Sequence, residues 1–438
     1  MFLTNLSRGI LLTILTSLYF FPFEFTFLPG VNTKMMMAAV GLVFLIIQLA
    51  KQEKKAEVGH DILMLSLFAA GVSIIGWVSI TMNNTPDTAY ANYLISMWVW
   101  LGGAYMLAST IRQLHGHLSV VLLVNYLIAV CVLQCVLALV IDSLPAVKAV
   151  VDTYIEQGQE FLNQKNVRRL YGIGASLDVA GSRFAAVLIM IAFVTATIEK
   201  TLLQRYLPLY LVCFFVIAIV GNMIARTTTV GLGLAVVCWL VTANISQVKE
   251  DVLSHRRLWG WLTLILVIVI GVSVFLYNTN PDVAKKMRFA FEGFFSLVEQ
   301  GKWEVSSNDK LKTMYVFPDN LKTWIIGDGY FSNPRDVDPL FTGKETGGYY
   351  MGTDVGYLRF IFYFGIAGLI AMMTFVSKAG AYCIKNLTKY KLMFVLLLLA
   401  NFIIWFKVST DIFLVFALFL MIQEDEQKQF DEEISIEE

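Results

Sequence analysis

The sequence is poor in charged residues. Asp, Glu, Lys and Arg make up 15% of the 438 residues, whereas 57% are hydrophobic. Soluble proteins carry about 25% charged residues, so this composition excludes an ordinary cytosolic domain. Lys and Arg together number 33, as do Asp and Glu, so the chain also lacks the one-signed excess typical of nucleic-acid-binding proteins. We therefore expect no nucleic acid among its partners.

Cysteine is scarce, and its spacing fits neither a metal site nor a disulfide framework. The five cysteines lie in or at the ends of apolar stretches, and none is paired in a polar loop. They are Cys131, Cys135, Cys213, Cys238 and Cys383. The predicted outer loops contain no carboxylate-rich cluster, and no internal repeat is evident. We expect no metal and no other cofactor.

Long apolar runs dominate the chain instead. A helix needs about 20 mainly apolar residues to cross a bilayer. We predict an all-α polytopic membrane protein with about twelve transmembrane helices, at approximately 9–27, 34–50, 62–82, 89–111, 118–141, 181–198, 206–224, 229–246, 258–277, 354–376, 391–406 and 408–422. The first lacks a following cleavage site, so we interpret it as a retained helix. The last two are short, and a re-entrant or tilted hairpin is an alternative to two full spans.

Lysine and arginine are unevenly distributed over the connections. One set of loops carries Lys51, Lys54, Lys55, Arg112, Lys200, Arg205, Lys249, Arg256, Arg257, Lys378, Lys385, Lys389 and Lys391. By the positive-inside rule these loops are cytoplasmic, which places both termini inside. The segment 423–438 is then a cytoplasmic tail, and from Glu424 onward it holds eight acidic residues against one lysine.

Two long segments are expected to face outward. One, at about 142–180, interrupts the first nine helices, which occupy 1–277; the other, 278–352, precedes helices ten to twelve at 353–422. The segment 278–352 is rich in aromatic residues, so we predict that it is ordered. Apolar residues recur at helical spacing from Val283 to Val298, which predicts an amphipathic helix at the membrane interface.

Arginines occur near the outer ends of the predicted helices. Arg169 lies in the first outer loop, Arg183 about one turn inside the following span, and Arg226 in a tight outer turn. Guanidinium groups bind phosphate oxygens bidentately, so these residues are candidates for holding a lipid pyrophosphate. Contact with anionic headgroups is the alternative for Arg169, and capping of helix carbonyls is the alternative for Arg226. Lys407 and Asp411 are a weaker case, since they could simply form a mutual ion pair.

The most specific pattern is Ile-Gly-Asp-Gly-Tyr-Phe at 326–331, followed by Met-Gly-Thr-Asp-Val-Gly-Tyr-Leu-Arg at 351–359. A Gly-x-Gly-aromatic turn, a loop with Arg335 and the polar Asp354 at a helix entry resemble the O-antigen polymerase and ligase superfamily. The Ala-Arg-Thr-Thr stretch at Arg226 is similar to the outer-turn arginine of that family. The resemblance in topology covers nearly the whole chain, while the motifs cover a minor part.

One departure favours the polymerases of that superfamily. Its ligases carry a His where this chain has Asp354, and an Arg near Asn308 or Asp309 that is also missing here. The four histidines, His60, His115, His117 and His255, fall on or near predicted cytoplasmic loops. The sequence therefore resembles the Wzy-type polymerases more than the ligases.

The resemblance implies a GT-C-like fold and the polymerisation of undecaprenyl-pyrophosphate-linked oligosaccharide repeat units. The product would be O-antigen, capsule or exopolysaccharide, made without a metal at the outer face of the bacterial inner membrane. The lipid-linked glycan would be both donor and acceptor, and a chain-length regulator is a further partner to expect. The alternatives are an O-antigen ligase that transfers polymer to lipid A-core, and a transporter or flippase for lipid-linked glycans.

Asp354 and Arg226 are the predicted catalytic residues. Asp354 would accept the proton of the acceptor hydroxyl, and Arg226 would stabilise the departing pyrophosphate. The alternative for Asp354 is the N-cap of the helix that follows, since aspartate is a preferred cap. The predicted substrate-binding residues are Arg169, Arg183, Arg288, Arg335, Arg359 and Tyr357.

Overall fold

The structure is a computed structural model that describes residues 2–50, 59–157, 169–197, 202–246, 252–334, 348–423 and 426–427. Its helices are α1 (Phe2–Phe20), α2 (Thr33–Ala50), α3 (His60–Asn83), α4 (Tyr93–His115), α5 (Val120–Ser143), α6 (Pro145–Tyr154), α7 (Leu177–Thr197), α8 (Leu202–Ile224), α9 (Thr228–Ser246), α10 (Val252–Thr279), α11 (Pro281–Ala290), α12 (Glu292–Gln300), α13 (Ser306–Thr313), α14 (Leu321–Ile325), α15 (Gly356–Asn386), α16 (Lys391–Ile404) and α17 (Phe413–Phe419). Short 3-10 turns lie at Tyr350–Gly352 and Thr388–Tyr390.

Eight helices among the described residues are long and apolar enough to cross a membrane. They are α2, α3, α4, α5, α7, α8, α10 and α15. The predicted class, an all-α polytopic membrane protein, is confirmed at this level. Two further apolar helices, α1 and α9, are shorter in their described parts, and α16 and α17 have 14 and 7 residues. The last pair fits the hairpin alternative better than two full spans, and the count of twelve stays a prediction.

The first helix ends earlier than the sequence pattern predicts. α1 stops at Phe20, because Pro22 has no N–H to continue the helix. The chain then forms β1 (Glu24–Phe25), which pairs antiparallel with β2 (Ile155–Glu156). This small sheet joins the turn after α1 to the outer loop after α5.

α7 lies at the centre of the bundle, because every residue from Ala180 to Thr195 is buried. Small residues allow its neighbour α9 to approach closely. A Cβ added to Gly231 of α9 would lie 2.2 Å from the Cα of Ala185. Such close backbone contact replaces the hydrophobic driving force that is missing between helices in lipid.

The predicted inner and outer connections gather at opposite ends of the bundle. At one end Arg112 pairs with Glu426 at 2.9 Å and Lys385 with Asp61 at 3.0 Å. At the other end Thr26 N–H donates to the Tyr154 carbonyl at 3.1 Å. Which end faces the cytoplasm stays a prediction. Most of the acidic tail lies outside the described residues, apart from 423 and 426–427.

The segment 278–352 is folded wherever it is described. The amphipathic helix predicted there appears as two helices, α11 and α12, separated at Phe291, where φ is −118° and ψ is 30°. Two further short helices, α13 and α14, follow. Arg335, a predicted substrate-binding residue, lies outside the described residues.

α15 is interrupted inside the membrane-crossing segment. Phe364 and Gly365 leave the helical conformation, and Gly365 has φ 70° and ψ −173°, a region essentially restricted to glycine. The freed carbonyls are hydrogen-bonded, since Phe362 accepts from Asp328 N–H at 2.6 Å and Tyr363 from Gly329 N–H at 3.1 Å. The Gly-Asp-Gly turn at 327–329 therefore docks on the interruption, which gives the sequence motif a structural reason.

Gly365→Ala is expected to lower the free energy of unfolding by at least about 1–3 kcal/mol, the cost of a non-glycine residue in this backbone region. The added Cβ would also lie 2.1 Å from the Ile325 carbonyl oxygen, so the 325–329 segment must move. The melting temperature in detergent measures the effect. Gly271→Ala in α10 is the matched control, because nothing lies within 4 Å of its Cβ position. Equal melting temperatures for the two variants would contradict the prediction.

Candidate functional site

Asp178 is the centre of a group of charged side chains at the end of the bundle that is predicted to face outward, which we call the outer end. Its carboxylate accepts a hydrogen bond from Lys407 Nζ at 2.9 Å and another from Thr227 Oγ1. Arg169 lies 4.0 Å from its second oxygen. We name Arg169, Asp178, Arg226, Glu292 and Lys407 the outer charged cluster. It joins α7, the α8–α9 turn, α12 and the segment after α16.

Arg226 extends from the turn between α8 and α9 into the outer loop. Its Nε donates to the Phe289 carbonyl at 2.8 Å, its NH1 to Ser307 Oγ at 3.0 Å, and its NH2 lies 2.7 Å from Glu292. The guanidinium also lies 4.1 Å from the centre of the Phe289 ring. All these partners belong to the 278–352 segment, so Arg226 does not cap carbonyls of its own helix.

Asp354 lies directly before α15 but does not cap it. The helix has Val355 at its N-cap without a side-chain hydrogen bond, and Val355 N–H donates to Thr353 Oγ1 at 3.3 Å. The Asp354 carboxylate is hydrogen-bonded by Tyr349. The capping alternative is therefore wrong, and the carboxylate faces a tyrosine and the charges beyond it.

Burial raises the pKa of Asp354 to about 7, and the negative charge of Asp178 acts in the same direction. The cations Arg359 and Lys407 and the Tyr349 hydroxyl oppose this rise. Burial and the Asp354 charge raise the pKa of Tyr349 to about 12, so its hydroxyl stays protonated and donates. A carboxyl group with a pKa near the working pH suits proton transfer, and such shifts cluster at functional sites.

Arg359 holds the motif regions together. It is 7% exposed, its NH1 donates to Ser409 Oγ at 2.9 Å, and its NH2 donates to the Phe331 carbonyl at 2.8 Å. The guanidinium stacks on the rings of Phe331 at 3.6 Å and Tyr349 at 4.6 Å. Since it contacts the tyrosine that binds Asp354, Arg359 positions this pair rather than pairing with Asp354 directly.

Arg288 borders the outer charged cluster across a cleft. Arg288 forms an ion pair with Glu299, which is not part of the cluster. It also lines a cavity of about 540 Å³ together with Arg226 and Glu292. Ligand pockets typically measure about 300–1,000 Å³, so the cleft is large enough for a sugar or a phosphate group. The structure thus brings Arg288 and Arg226 to one opening.

Two other predicted residues are not part of the cluster. Tyr357 donates its hydroxyl to the Phe402 carbonyl at 2.9 Å and packs against Trp405 and Phe406. Arg183 is 5% exposed and lies deeper in the bundle. The structure therefore places Arg169, Arg226 and Arg288 near one another and separates Arg183 and Tyr357 from them.

Sequence reasoning missed the partners of the charged residues. Lys407 pairs with Asp178 and not with Asp411, so the alternative of an ion pair between Lys407 and Asp411 is wrong. Glu292 was not singled out, although it binds Arg226. These contacts join residues from 66 to more than 200 positions apart, and no spacing in the sequence indicates them.

The described residues contain no group of three or more His, Cys, Asp or Glu side chains that could hold a metal ion. Comparisons with family models, with curated proteins and with solved structures find no match to this chain.

Proposed function

We propose that this chain is a metal-independent glycosyltransferase that polymerises undecaprenyl-pyrophosphate-linked repeat units at the outer face of the bacterial inner membrane. The observation that carries the proposal is Asp354, a carboxyl with a pKa of about 7 that faces Tyr349 beside the outer charged cluster. This is the arrangement that hydroxyl activation beside an anionic leaving group requires. The sequence resemblance supplies the substrate class.

The transfer needs one proton acceptor and one anion-binding region. The acceptor sugar hydroxyl attacks the anomeric carbon of the donor glycan, and its proton passes to the Asp354 carboxylate. The bond between the anomeric carbon and the pyrophosphate oxygen breaks, and the electron pair leaves with the pyrophosphate. Arg169, Arg226 and Lys407 supply the positive charge that stabilises this departing group.

The charged cluster is preorganised by its own carboxylates. Arg226 is held by Glu292, and Lys407 by Asp178, so neither cation must be immobilised when substrate arrives. Fixed charges cost no reorganisation at the moment of reaction, which makes them effective in the transition state. The cleft beside Arg226 and Arg288 offers the space for the pyrophosphate or its first sugar.

The reaction is tested with purified protein in lipid nanodiscs and a chemically defined undecaprenyl-pyrophosphate-linked repeat unit. The expected result is a ladder of products that differ by one repeat unit, with release of undecaprenyl pyrophosphate. Transfer only to added lipid A-core acceptor would indicate the ligase instead. An unchanged substrate under both conditions, with folded protein, would contradict glycosyl transfer.

One observation favours the transporter alternative, because broken helices are a recurrent feature of secondary transporters. α15 is broken at Phe364–Gly365, but the freed carbonyls of Phe362 and Tyr363 bind Asp328, Gly329 and Ser79. Those carbonyls are thus already satisfied by the protein. Movement of a fluorescent lipid-linked glycan across liposomes containing this protein, without elongation, would support the transporter.

The pH profile of elongation should depend on the charges around Asp354. The acid limb is expected near pH 7, since Asp354 must be ionised to accept a proton and burial raises its pKa to about 7. Asp178→Asn removes a charge that raises this pKa, so the acid limb should shift to lower pH. Lys407→Gln removes a charge that lowers it, so the limb should shift to higher pH. Initial elongation rates between pH 5 and pH 9 measure both shifts, and shifts in the same direction would contradict the assignment.

A further inference from the structure

Two cations in the outer half of the bundle form no hydrogen bond or ion pair with another described residue. Arg183, in the second turn of α7, is 5% exposed, and its Nε has no hydrogen-bond partner in the described part of the chain. Its guanidinium lies 5.6 Å from the centre of the Phe21 ring. Lys34, at the start of α2, is half-buried, and its ammonium lies 4.4 Å from the centre of the Trp100 ring. We name Lys34 and Arg183 the inner cation pair.

The two cations belong to one electrostatic environment. The charge of Arg183 acts on Lys34, and Asp411 is the carboxylate that acts on both. Asp411 is itself engaged, since it accepts hydrogen bonds from Phe413 N–H at 2.9 Å and from the Tyr93 hydroxyl. Glu24 also acts on Lys34, more weakly, and accepts from Gly30 N–H at 3.1 Å. Neither carboxylate forms an ion pair with Lys34 or Arg183 among the described residues.

This arrangement is costly without a ligand. A guanidinium carries five N–H donors and an ammonium three, and a buried charge is stable only when it is paired and hydrogen-bonded. Nearby aromatic rings compensate in part through cation–π contacts. The Nε donor of Arg183 has no partner among the described residues, and an oxyanion is the group that uses such donors.

The inner cation pair is distinct from the outer charged cluster. Arg183 follows Asp178 by five residues on α7, which places it about 7.5 Å further along the helix and on another face. The cations of the outer cluster are also already bonded, to Glu292 and Asp178. The sequence grouped Arg183 with Arg169, but the structure separates them.

We propose that Lys34 and Arg183 form a second, buried anion site that binds a phosphate group. Arg183 supplies two parallel N–H donors and Lys34 a point charge, the usual division of roles in phosphate recognition. Lys34, at the start of α2, and Asp411, two residues before α17, are both half-buried and lie at the end of the bundle that carries the predicted outer loops. The phosphate comes either from a membrane lipid or from solution. This inference does not depend on the proposed transfer reaction.

The test measures binding by the purified full-length chain, first in a maltoside detergent and phosphate-free buffer. Inorganic phosphate is the free probe. Nanodiscs with phosphatidylglycerol are the lipid probe, compared with nanodiscs of a glucosyl diacylglycerol that lacks phosphate. We expect Arg183→Gln and Lys34→Gln to raise the dissociation constant about 10-fold to 100-fold, the loss of one charge-assisted contact. Lys310→Gln, on an exposed outer lysine, is the matched control and should leave it unchanged.

The outcomes are distinguishable. Binding of inorganic phosphate that both variants weaken supports the site and a free anion. A response to phosphatidylglycerol alone, lost in both variants, supports the site and a lipid-borne phosphate. No response to either probe, or equal binding by wild type and both variants, overturns the proposal. Melting temperatures measured without phosphate show whether each variant folds. If Arg183→Gln does not fold, Arg183→Lys replaces it in the test; this variant keeps the charge and should retain part of the binding.

Discussion

Asp354→Asn is expected to reduce the rate of chain elongation by about 100-fold to 10,000-fold, the usual contribution of a positioned general base. The amide keeps the shape of the side chain but cannot accept the hydroxyl proton. Cells that carry only this variant should accumulate single repeat units, as gel analysis of the surface polysaccharide would show. The protein should remain in the membrane at normal level, because no helix cap is lost at Val355.

Asp319→Asn is the matched control for that experiment. Asp319 lies in the same outer segment, but it is exposed and remote from Asp354 in the chain. It should leave chain length unchanged. Chains of wild-type length from the Asp354→Asn protein would show that Asp354 is not the proton acceptor, whatever the behaviour of the control.

Arg226→Ala is expected to lower elongation by about 100-fold to 1,000-fold, the typical cost of removing one preorganised charge donor. It also removes the contacts to Phe289, Ser307 and Glu292, so the outer segment should become less stable. Two effects are thus combined in this variant. Limited proteolysis of the 278–334 region measures the structural part, and elongation assays measure the total.

Glu292→Gln separates the two effects. It removes the ion pair with Arg226, but the Phe289 carbonyl and Ser307 Oγ still hold the guanidinium, so proteolysis should increase while elongation is largely kept. Arg226→Lys keeps the charge without the fork of donors and should be intermediate. Equal losses of elongation in Arg226→Ala and Glu292→Gln would show that Arg226 acts only by holding the outer segment.

The sequence motif predicts the conformation of the turn at 327–329 but not its contact with the interruption at Gly365. The Gly-x-Gly pattern predicts a turn with unusual backbone angles, and Gly327 and Gly329 do have φ values of 82° and 73°. The pattern does not say where the turn docks. Its partner is the interruption of α15, about 35 residues later, and periodicity predicts an uninterrupted span there.

For the charged residues, too, the sequence predicts the positions in the chain but not the contacts in space. The sequence identified Arg226 and Asp354 as ionisable residues at the ends of apolar runs. Placing such a residue near the membrane interior costs free energy, so its presence indicates a functional role. The sequence could not choose between capping and catalysis, because both place the residue at a helix end. Tertiary contacts with Phe289, Glu292 and Tyr349 removed the capping interpretation for both.

The apolar runs of about 20 residues are enough to predict a helical membrane protein, because a helix satisfies every backbone hydrogen bond of such a run within the segment. The distribution of lysine and arginine further predicts which loops face the cytoplasm. Which charges meet depends on the tertiary fold. Lys407 pairs with Asp178, while the Nε of the buried Arg183 has no partner among the described residues. Such pairings depend on distance in space and carry no local signal in the chain.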